Sequence, residues 1–257
     1  MFTNLQTTQF FGKNLIYLPT CASTNAEAQT YLQAQPNTQI TEGTIIITGN
    51  QTAGRGQRGN TWEAMPNTNL TFSLILSPKF LTITEQFKLN VAITVGITDS
   101  LLHILPSIAI KWSNDIYVKK ENIAKKIGGI LIENTIQQQY IANSIIGIGL
   151  NVNQVIFQTP IASSLAKENQ SNYDLQAVLE NLMIGIENRY LQLRGGQYEL
   201  LKNIYLQRLY RFQEVHSYQS NGQDFLGMII GIDSYGRLAM QVENTVKYFD
   251  IKEITFL

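Results

Sequence analysis

The chain has 257 residues, 44% of them hydrophobic, so it can bury one large core and still leave a small second domain. Its formal net charge is zero, which excludes a global field that would draw it to nucleic acid or to anionic lipid. It has a single cysteine, Cys21, no pattern of a signal peptide and no uncharged run long enough to cross a bilayer. These features predict a cytoplasmic protein with no internal disulfide and no membrane partner.

Short apolar runs rich in β-branched residues alternate with stretches of helical periodicity. Strands are predicted at residues 44–48, 70–77, 108–111, 115–118, 127–134 and 140–149. Helices are predicted at residues 23–33, 85–105, 172–193 and 198–212, and residues 154–172 are predicted to form a loop. This pattern predicts an α/β (α+β) domain over residues 1–212.

After Phe212 the pattern changes to short strands separated by turn-forming residues. The strands are predicted at residues 225–232, 237–242 and 245–251. We therefore expect residues 213–257 to form a small β-barrel domain.

The segment from Gln51 to Trp62 reads Gln-Thr-Ala-Gly-Arg-Gly-Gln-Arg-Gly-Asn-Thr-Trp and directly follows a predicted strand. Its bare backbone N–H groups and the guanidinium groups of Arg55 and Arg58 are groups that bind an anion. The segment satisfies the G-x-G-x-x-G pattern, but a dinucleotide site needs a helix that opens inside that pattern. Turn-forming residues and another strand follow instead, so we predict a loop that covers a ligand; the alternative is a solvated hairpin loop.

Four further segments place polar side chains at the ends of predicted elements. Taken singly, each has an ordinary structural explanation: a helix cap, a polar turn, solvated lysines or a turn capped by asparagine. They are Ser23-Thr24-Asn25, Lys111-Trp112-Ser113-Asn114-Asp115, Lys125-Lys126-Ile127-Gly128-Gly129-Ile130-Leu131-Ile132-Glu133 and Gly147-Ile148-Gly149-Leu150-Asn151-Val152-Asn153.

In this order and at this spacing, the five segments resemble the biotin–protein ligases, enzymes that adenylate biotin and pass it to a lysine of a carrier domain. That family shows a Ser-Thr-Asn segment, a Gly-Arg-Gly-rich loop ending in Trp, and Lys-Trp-x-Asn-Asp, Lys-x-Gly-Gly-x-Leu-x-Glu and Gly-x-Gly-x-Asn-x-Asn segments. The resemblance extends from about Ser23 to Asn153. Two positions differ from the family: Gln57 stands where arginine is more frequent, and Ser113 stands where proline is usual.

The resemblance implies a mixed β-sheet catalytic domain of the biotin/lipoate ligase type with a small C-terminal SH3-like β-barrel. It implies biotin and ATP as substrates, Mg²⁺ that bridges the phosphates, and the biotin carboxyl carrier protein domain of a biotin-dependent carboxylase as partner. Only about twenty residues precede Ser23, too few for a winged helix, so we expect the short form of the family with no DNA partner. A monomer and a homodimer both remain open.

The resemblance also implies roles for individual residues. Lys126 and Arg55 are the expected catalytic cations, because joining a carboxylate to a phosphate brings two anions together. Asp115 either positions the acceptor lysine or holds a structural turn. The expected biotin-binding residues are Ser23, Thr24, Asn25, Gln51, Gly54, Arg55, Gly56, Lys126 and Gly128. The expected nucleotide-binding residues are Arg58, Gly59, Trp62, Lys111, Trp112, Asn114 and Asn151.

The main alternative is a lipoate–protein ligase or an octanoyl or lipoyl transferase of the same fold. Transfer without ATP needs a nucleophilic cysteine, and Cys21 has no evident base, because His103 and His216 are predicted to be structural. In the C-terminal domain, Arg237 and Lys247 are expected to face the ATP or the carrier domain; the alternative is that both are ordinary solvated residues.

Overall fold

The computed structural model describes residues 2–34, 41–120 and 123–257, with every side chain in these ranges except that of Arg58. The larger sheet contains β1 (Leu15–Leu18), β2 (Thr44–Thr48), β3 (Leu70–Leu76), β4 (Ile108–Lys111), β5 (Asp115–Lys120), β6 (Ile123–Gln137) and β7 (Tyr140–Leu150). The helices are α1 (Thr24–Gln33), α2 (Gln86–Leu101), α3 (Leu165–Asn169), α4 (Leu175–Arg194) and α5 (Tyr198–Gln207). The smaller sheet contains β8 (Val215–Ser220), β9 (Gln223–Ile232), β10 (Leu238–Val242), β11 (Thr245–Phe249) and β12 (Thr255–Phe256).

The seven strands of the larger sheet have the order β1-β2-β3-β7-β6-β5-β4. The β1–β2 pair is parallel, and each of the other neighbouring pairs is antiparallel. The apolar strands β2 and β3 are buried along their whole length because helices pack on the sheet: α2 and α4 pack against each other and α1 packs on β2, β3 and β7. The predicted mixed α+β architecture is confirmed.

The five strands of the smaller sheet have the order β11-β10-β9-β8-β12, and all of its pairs are antiparallel. Its hydrogen-bonded pairing ends at β11 and β12, so the described residues form an open sheet in which the closure expected for a barrel is not seen. The sheet contacts the larger domain where the indole Nε1 of Trp112 donates to the Gly236 carbonyl oxygen at 3.0 Å. The division at residue 212 remains a prediction.

Several element boundaries differ from the sequence-based expectations. The sequence pattern does not identify β1, β12 and the short helix α3, since each is too short to show a clear period, or β8, whose sequence Val-His-Ser-Tyr-Gln-Ser is mostly polar. Strand β6 is longer than expected, 15 residues, because pairing with β5 extends its start to Ile123 and pairing with β7 extends its end to Gln137. In the described part of the chain, no helix is long and apolar enough to cross a membrane.

The N-terminal segment is fixed to α4 by one buried carboxylate. Glu187 is 3% exposed, and its carboxylate accepts hydrogen bonds from the backbone N–H groups of Gln9, Phe10 and Phe11 at 2.7, 2.8 and 2.8 Å. Hydrogen bonds to a charged acceptor contribute more to stability than neutral ones. Glu187 therefore stabilises the packing of Phe11 in the core.

Glu187→Gln is expected to lower the free energy of unfolding by about 3 kcal/mol, because an amide removes the charge and turns an NH₂ group toward a backbone N–H. Urea unfolding measures the loss. Glu180→Gln in the same helix, at a partly exposed position, is the matched control and is expected to change stability by about 0.5 kcal/mol or less. Equal effects of the two substitutions would contradict this role of Glu187.

Candidate active site

A cavity of about 310 Å³ lies where α1, the 51–62 loop, the β4–β5 turn and strands β6 and β7 meet. Most of the residues predicted to bind ligands line it. They are Ser23, Thr24, Asn25, Gln51, Arg55, Gly56, Trp62, Lys111, Trp112, Asn114, Asp115 and Lys126.

One end of the cavity carries uncharged hydrogen-bonding groups. Ser23, Thr24 and Asn25 at the start of α1 are all buried. The backbone N–H of Thr24 donates to Gln51 Oε1 at 2.9 Å, which fixes the Gln51 side chain beside the helix N-terminus. We refer to this group of four residues as the uncharged end; it can recognise a neutral polar group by hydrogen bonding.

The other end carries cations. Lys126 Nζ lies 2.7 Å from Asp115 Oδ1, and both side chains are about 30% exposed, at 29% and 30%. The Lys111 ammonium lies over the rings of Tyr117 and Phe256, at 5.2 and 5.1 Å from the ring centroids. We refer to Lys111 and Lys126 with Asp115 as the cationic end.

Burial lowers the pKa of the Lys111 ammonium below its ordinary value. The carboxylate of Asp115 opposes this shift, and the charge of Lys126 adds to it. A ligand anion bound here would raise the pKa of Lys111 again, because it would stabilise the charged form. The cationic end is therefore suited to an anionic ligand.

The 51–62 loop lies between β2 and β3, as predicted, and only a short 3₁₀ helix, Gln57–Gly59, forms in it. No α-helix opens within this described loop, so the dinucleotide interpretation stays excluded. Arg55 lines the cavity at its rim, with its guanidinium Nη2 3.2 Å from Glu133 Oε2 and its side chain 51% exposed.

Trp62, at the end of the loop, packs directly on the backbone of Gly149 in β7. A Cβ atom at residue 149 would lie 2.3 Å from Cε2 of the indole, so only glycine leaves room for this ring. The ring centroid lies 5.9 Å from Lys126 Nζ, and the indole Nε1 is buried without a hydrogen-bond partner. Gly149 thus allows the indole ring of Trp62, with its unpaired Nε1–H donor, to lie beside Lys126.

Hydrogen bonds from polar side chains stabilise the β4–β5 turn. The Ser113 carbonyl oxygen accepts from Asn90 Nδ2 at 2.9 Å and from the Tyr205 hydroxyl at 2.8 Å. The Asn114 side chain donates to the Ile130 carbonyl oxygen, and the Trp112–Ser113 peptide bond is cis. Asn114 therefore joins the turn to β6, while Asp115, which pairs with Lys126, also faces Lys111 across the strand pair.

Four predicted ligand contacts do not line the cavity: Gly54, Gly59, Gly128 and Asn151. Gly54 is covered by the Trp62 backbone, whose N–H donates to the Gly54 carbonyl oxygen at 3.0 Å. Gly128 pairs with Leu150 inside the β6–β7 ladder.

Asn151 is buried, and its Nδ2 donates to the Ser163 carbonyl oxygen at 2.9 Å. It therefore supports the segment before α3, while its Oδ1 is buried without a hydrogen-bond partner among the described residues, so its predicted contact with the nucleotide stays a prediction. The predicted role of Arg58 concerns a side chain that lies outside the described residues.

Neither Arg237 nor Lys247 lines the cavity, so the structure does not support a contact of these residues with a ligand bound there, and a contact with the carrier domain stays a prediction. Arg237 Nε binds Asp233 Oδ2 at 2.7 Å, and Lys247 is exposed on β11. The C-terminal segment contributes other residues. They are Ile251, Lys252, Ile254, Thr255 and Phe256. The sequence offered little signal for them, since β12 has only two residues.

The fold and the cavity define a class of protein: a mixed-sheet α+β domain whose cavity carries both uncharged hydrogen-bonding groups and cations. Residues 19–151 match the model of the biotin/lipoate A/B protein ligase family, and the chain belongs to that family.

Relatives that match most of the chain include two proteins named as ligases. The chain is 29% identical over 248 residues to the bifunctional ligase/repressor BirA of Bacillus spizizenii, and the aligned region covers 93% of this chain and 73% of that protein. The chain is 28% identical over 206 residues to the biotin–[acetyl-CoA-carboxylase] ligase of Mycobacterium tuberculosis, and the aligned region covers 78% of this chain and 74% of that protein.

A solved structure of similar fold is the biotin protein ligase from Aquifex aeolicus in complex with biotin and ATP. The match has a TM-score of 0.74 and 23% identity, and it covers 95% of this chain and 98% of that one. The match extends over both sheets, so the smaller sheet belongs to the shared fold.

Proposed function

We propose that this protein is a biotin–protein ligase that converts biotin and ATP to biotinyl-5'-adenylate and pyrophosphate, and then transfers biotin to a carrier lysine. The observation that carries the proposal is the pairing of the uncharged end with the cationic end in one cavity. Biotin has a neutral ureido ring at one end and a carboxylate at the other. The names of the relatives, both of them ligases, support this assignment.

The uncharged end argues against lipoate and octanoate as the preferred substrates. A dithiolane ring or an alkyl chain offers no hydrogen bonds to Ser23, Thr24 and Gln51. Buried polar groups that lose their partners in a complex cost about 1–3 kcal/mol each. The ureido ring supplies both N–H donors and a carbonyl acceptor, so it satisfies this end of the cavity.

In the first step the biotin carboxylate attacks the α-phosphate of ATP, and pyrophosphate leaves. The two reacting groups are anions, so the barrier falls when cations are held in place before the reaction. Lys126 is our choice for the central cation, because Asp115 and the β6 backbone fix its position in the cavity. Lys111 and Arg55 supply further positive charge at the cationic end and at the rim.

The adenylate is a mixed anhydride that water hydrolyses. The 51–62 loop, with Trp62 packed on Gly149, would cover it and exclude water. In the second step a neutral lysine amine of a biotin carboxyl carrier protein domain attacks the acyl carbon. An amide bond forms, AMP leaves with the bonding electron pair, and the amine loses a proton.

Mg²⁺ is proposed to enter with the phosphates of ATP. Asp115 is the only carboxylate among the described residues that line the cavity, and no group of three potential ligands of the His, Cys, Asp or Glu type occurs in that part of the chain. This donor set fits Mg²⁺, which binds through few carboxylates, phosphate oxygens and water. When bound, the ion would neutralise phosphate charge.

Pyrophosphate exchange into ATP tests the proposed function, with biotin, lipoate and octanoate offered in parallel. Biotin is expected to support exchange at a kcat/KM at least about a hundredfold above the other two acids. Transfer to a purified carrier domain then tests the second step. Exchange that depends on lipoate or octanoate and not on biotin would overturn the proposal.

Gln57 also lines the cavity, at the position where the family more often has arginine. Gln57→Arg is expected to slow release of biotinyl-adenylate in the absence of a carrier by about tenfold, because a guanidinium adds a charge-assisted contact to the phosphate. Rapid filtration of the labelled adenylate measures the release. Unchanged or faster release would contradict this explanation.

A further inference from the structure

A chain of polar contacts runs from the uncharged end of the cavity to its rim and ends at Glu133 on β6. Glu133 Oε2 accepts from Asn25 Nδ2 at 2.6 Å and from Arg55 Nη2 at 3.2 Å. Asn25 Oδ1 lies 2.6 Å from Ser73 Oγ, and Ser73 Oγ lies 2.8 Å from Thr24 Oγ1. The contacts thus connect Glu133 with a residue of the uncharged end.

The chemistry of these groups fixes the direction of the hydrogen bonds that Asn25 makes. A carboxylate only accepts, so Asn25 turns its NH₂ group toward Glu133 and its oxygen toward Ser73. That amide oxygen also only accepts, so the single hydroxyl proton of Ser73 is donated to Asn25. With that proton committed to Asn25, the Thr24 hydroxyl, whose Oγ1 lies 2.8 Å from Ser73 Oγ, donates its own proton within the protein, where Gln51 Oε1 lies at 3.4 Å.

Burial enforces this arrangement. Thr24, Asn25 and Ser73 are 3%, 4% and 0% exposed, so water is not at hand to satisfy a group that points the wrong way. Gly147 on β7 leaves the space for the Asn25 amide, since a Cβ atom there would lie 2.4 Å from Asn25 Oδ1.

We propose that Glu133 and Ser73 are positioning residues that fix the Thr24 hydroxyl as a hydrogen-bond acceptor toward the cavity. The uncharged end then selects a ring that presents an N–H group at this point. Neither residue lines the cavity, so each acts through Asn25 and Thr24. The inference rests on the proposed function, because the ureido ring of biotin carries two such N–H groups.

The test compares biotin with the two analogues in which one ureido N–H group is replaced by an oxygen atom, using pyrophosphate exchange. For the wild type, at least one analogue is expected to have a KM about tenfold or more above that of biotin. In Glu133→Gln the new amide can donate or accept, so the orientation of Asn25 is no longer fixed. The KM for biotin is expected to rise about tenfold, and the ratio of the KM for that analogue to the KM for biotin is expected to fall to about threefold or less. The KM for ATP is expected to stay within about twofold of the wild-type value.

Ser73→Ala separates this role from an effect on the loop, because it interrupts the chain and leaves the contact between Glu133 and Arg55 intact. It is expected to reproduce the loss of selectivity. Glu214→Gln is the matched control: Glu214 pairs with Lys119 at 3.5 Å, has a side chain of similar exposure, 48% against 39%, and does not line the cavity. It is expected to behave as the wild type does.

Wild-type selectivity in both Glu133→Gln and Ser73→Ala would overturn this inference alone. Loss of selectivity in Glu133→Gln together with wild-type selectivity in Ser73→Ala would also overturn it, since Glu133 would then act through Arg55. A wild-type protein without biotin-dependent exchange would overturn the proposed function and this inference with it.

Discussion

Lys126→Ala is expected to lower the rate of biotin-dependent pyrophosphate exchange at least about a hundredfold, the usual effect of removing a preorganised group that stabilises developing charge. The loss should appear in kcat, because the ammonium opposes repulsion between two anions most strongly as the new bond forms. Single-turnover formation of adenylate, measured at saturating biotin and ATP, isolates this step.

The substitution should leave the fold intact. Two backbone hydrogen bonds of residue 126 do not need the side chain. The N–H of residue 126 donates to the Ile161 carbonyl oxygen, and the carbonyl oxygen of residue 126 accepts from the Ser163 N–H. Asp115 loses its partner but is 30% exposed, so the cost in stability should stay within about 1 kcal/mol. Lys125→Ala, one residue earlier in β6, removes the same charge outside the active-site cavity and is expected to keep activity within about twofold. Near-normal exchange in Lys126→Ala would refute the assignment.

The sequence predicted those parts of the fold that depend on local pattern. The runs Thr-Ile-Ile-Ile-Thr at β2 and Leu-Thr-Phe-Ser-Leu-Ile-Leu at β3 are strongly apolar and β-branched, and both strands form with nearly the predicted bounds. The predicted segments also meet at one cavity. The family resemblance, which depends on the order of the segments along the chain, predicted that they meet; the spacing of the segments alone did not predict it.

What could not be predicted depends on pairing between distant strands and on close packing. Ser73 reads as one more residue of a buried strand, and only the contact of β3 with α1 places it beside Asn25. Asn151 matches the family segment, and the motif does not indicate that its side chain also donates to the Ser163 carbonyl oxygen. The contact of Phe256 with Lys111 needs the smaller sheet to dock on the larger domain, which no short-range pattern encodes.

Gly149→Ala is expected to lower kcat/KM for biotin-dependent exchange about a hundredfold, because a misplacement of a covering group by about 1 Å can have that effect. The added Cβ would lie 2.3 Å from the indole of Trp62, and the ring is rigid, so the loop that carries it must shift. Strand β7 pairs with both β3 and β6 at this position, which leaves the backbone little freedom to yield.

Gly231→Ala is the matched control for Gly149→Ala, since Gly231 also lies in a strand and a Cβ atom there would meet nothing within 4 Å. It is expected to change activity by about twofold or less. Fluorescence distinguishes displacement of the loop from general damage, because the chain has two tryptophans and the other, Trp112, is buried and held by the hydrogen bond from its indole to the Gly236 carbonyl oxygen. Gly149→Ala should shift the emission to the red as Trp62 enters water, while Gly231→Ala should leave it unchanged. Full activity together with unshifted emission in Gly149→Ala would show that the packing of Trp62 on residue 149 does not position the loop for the reaction.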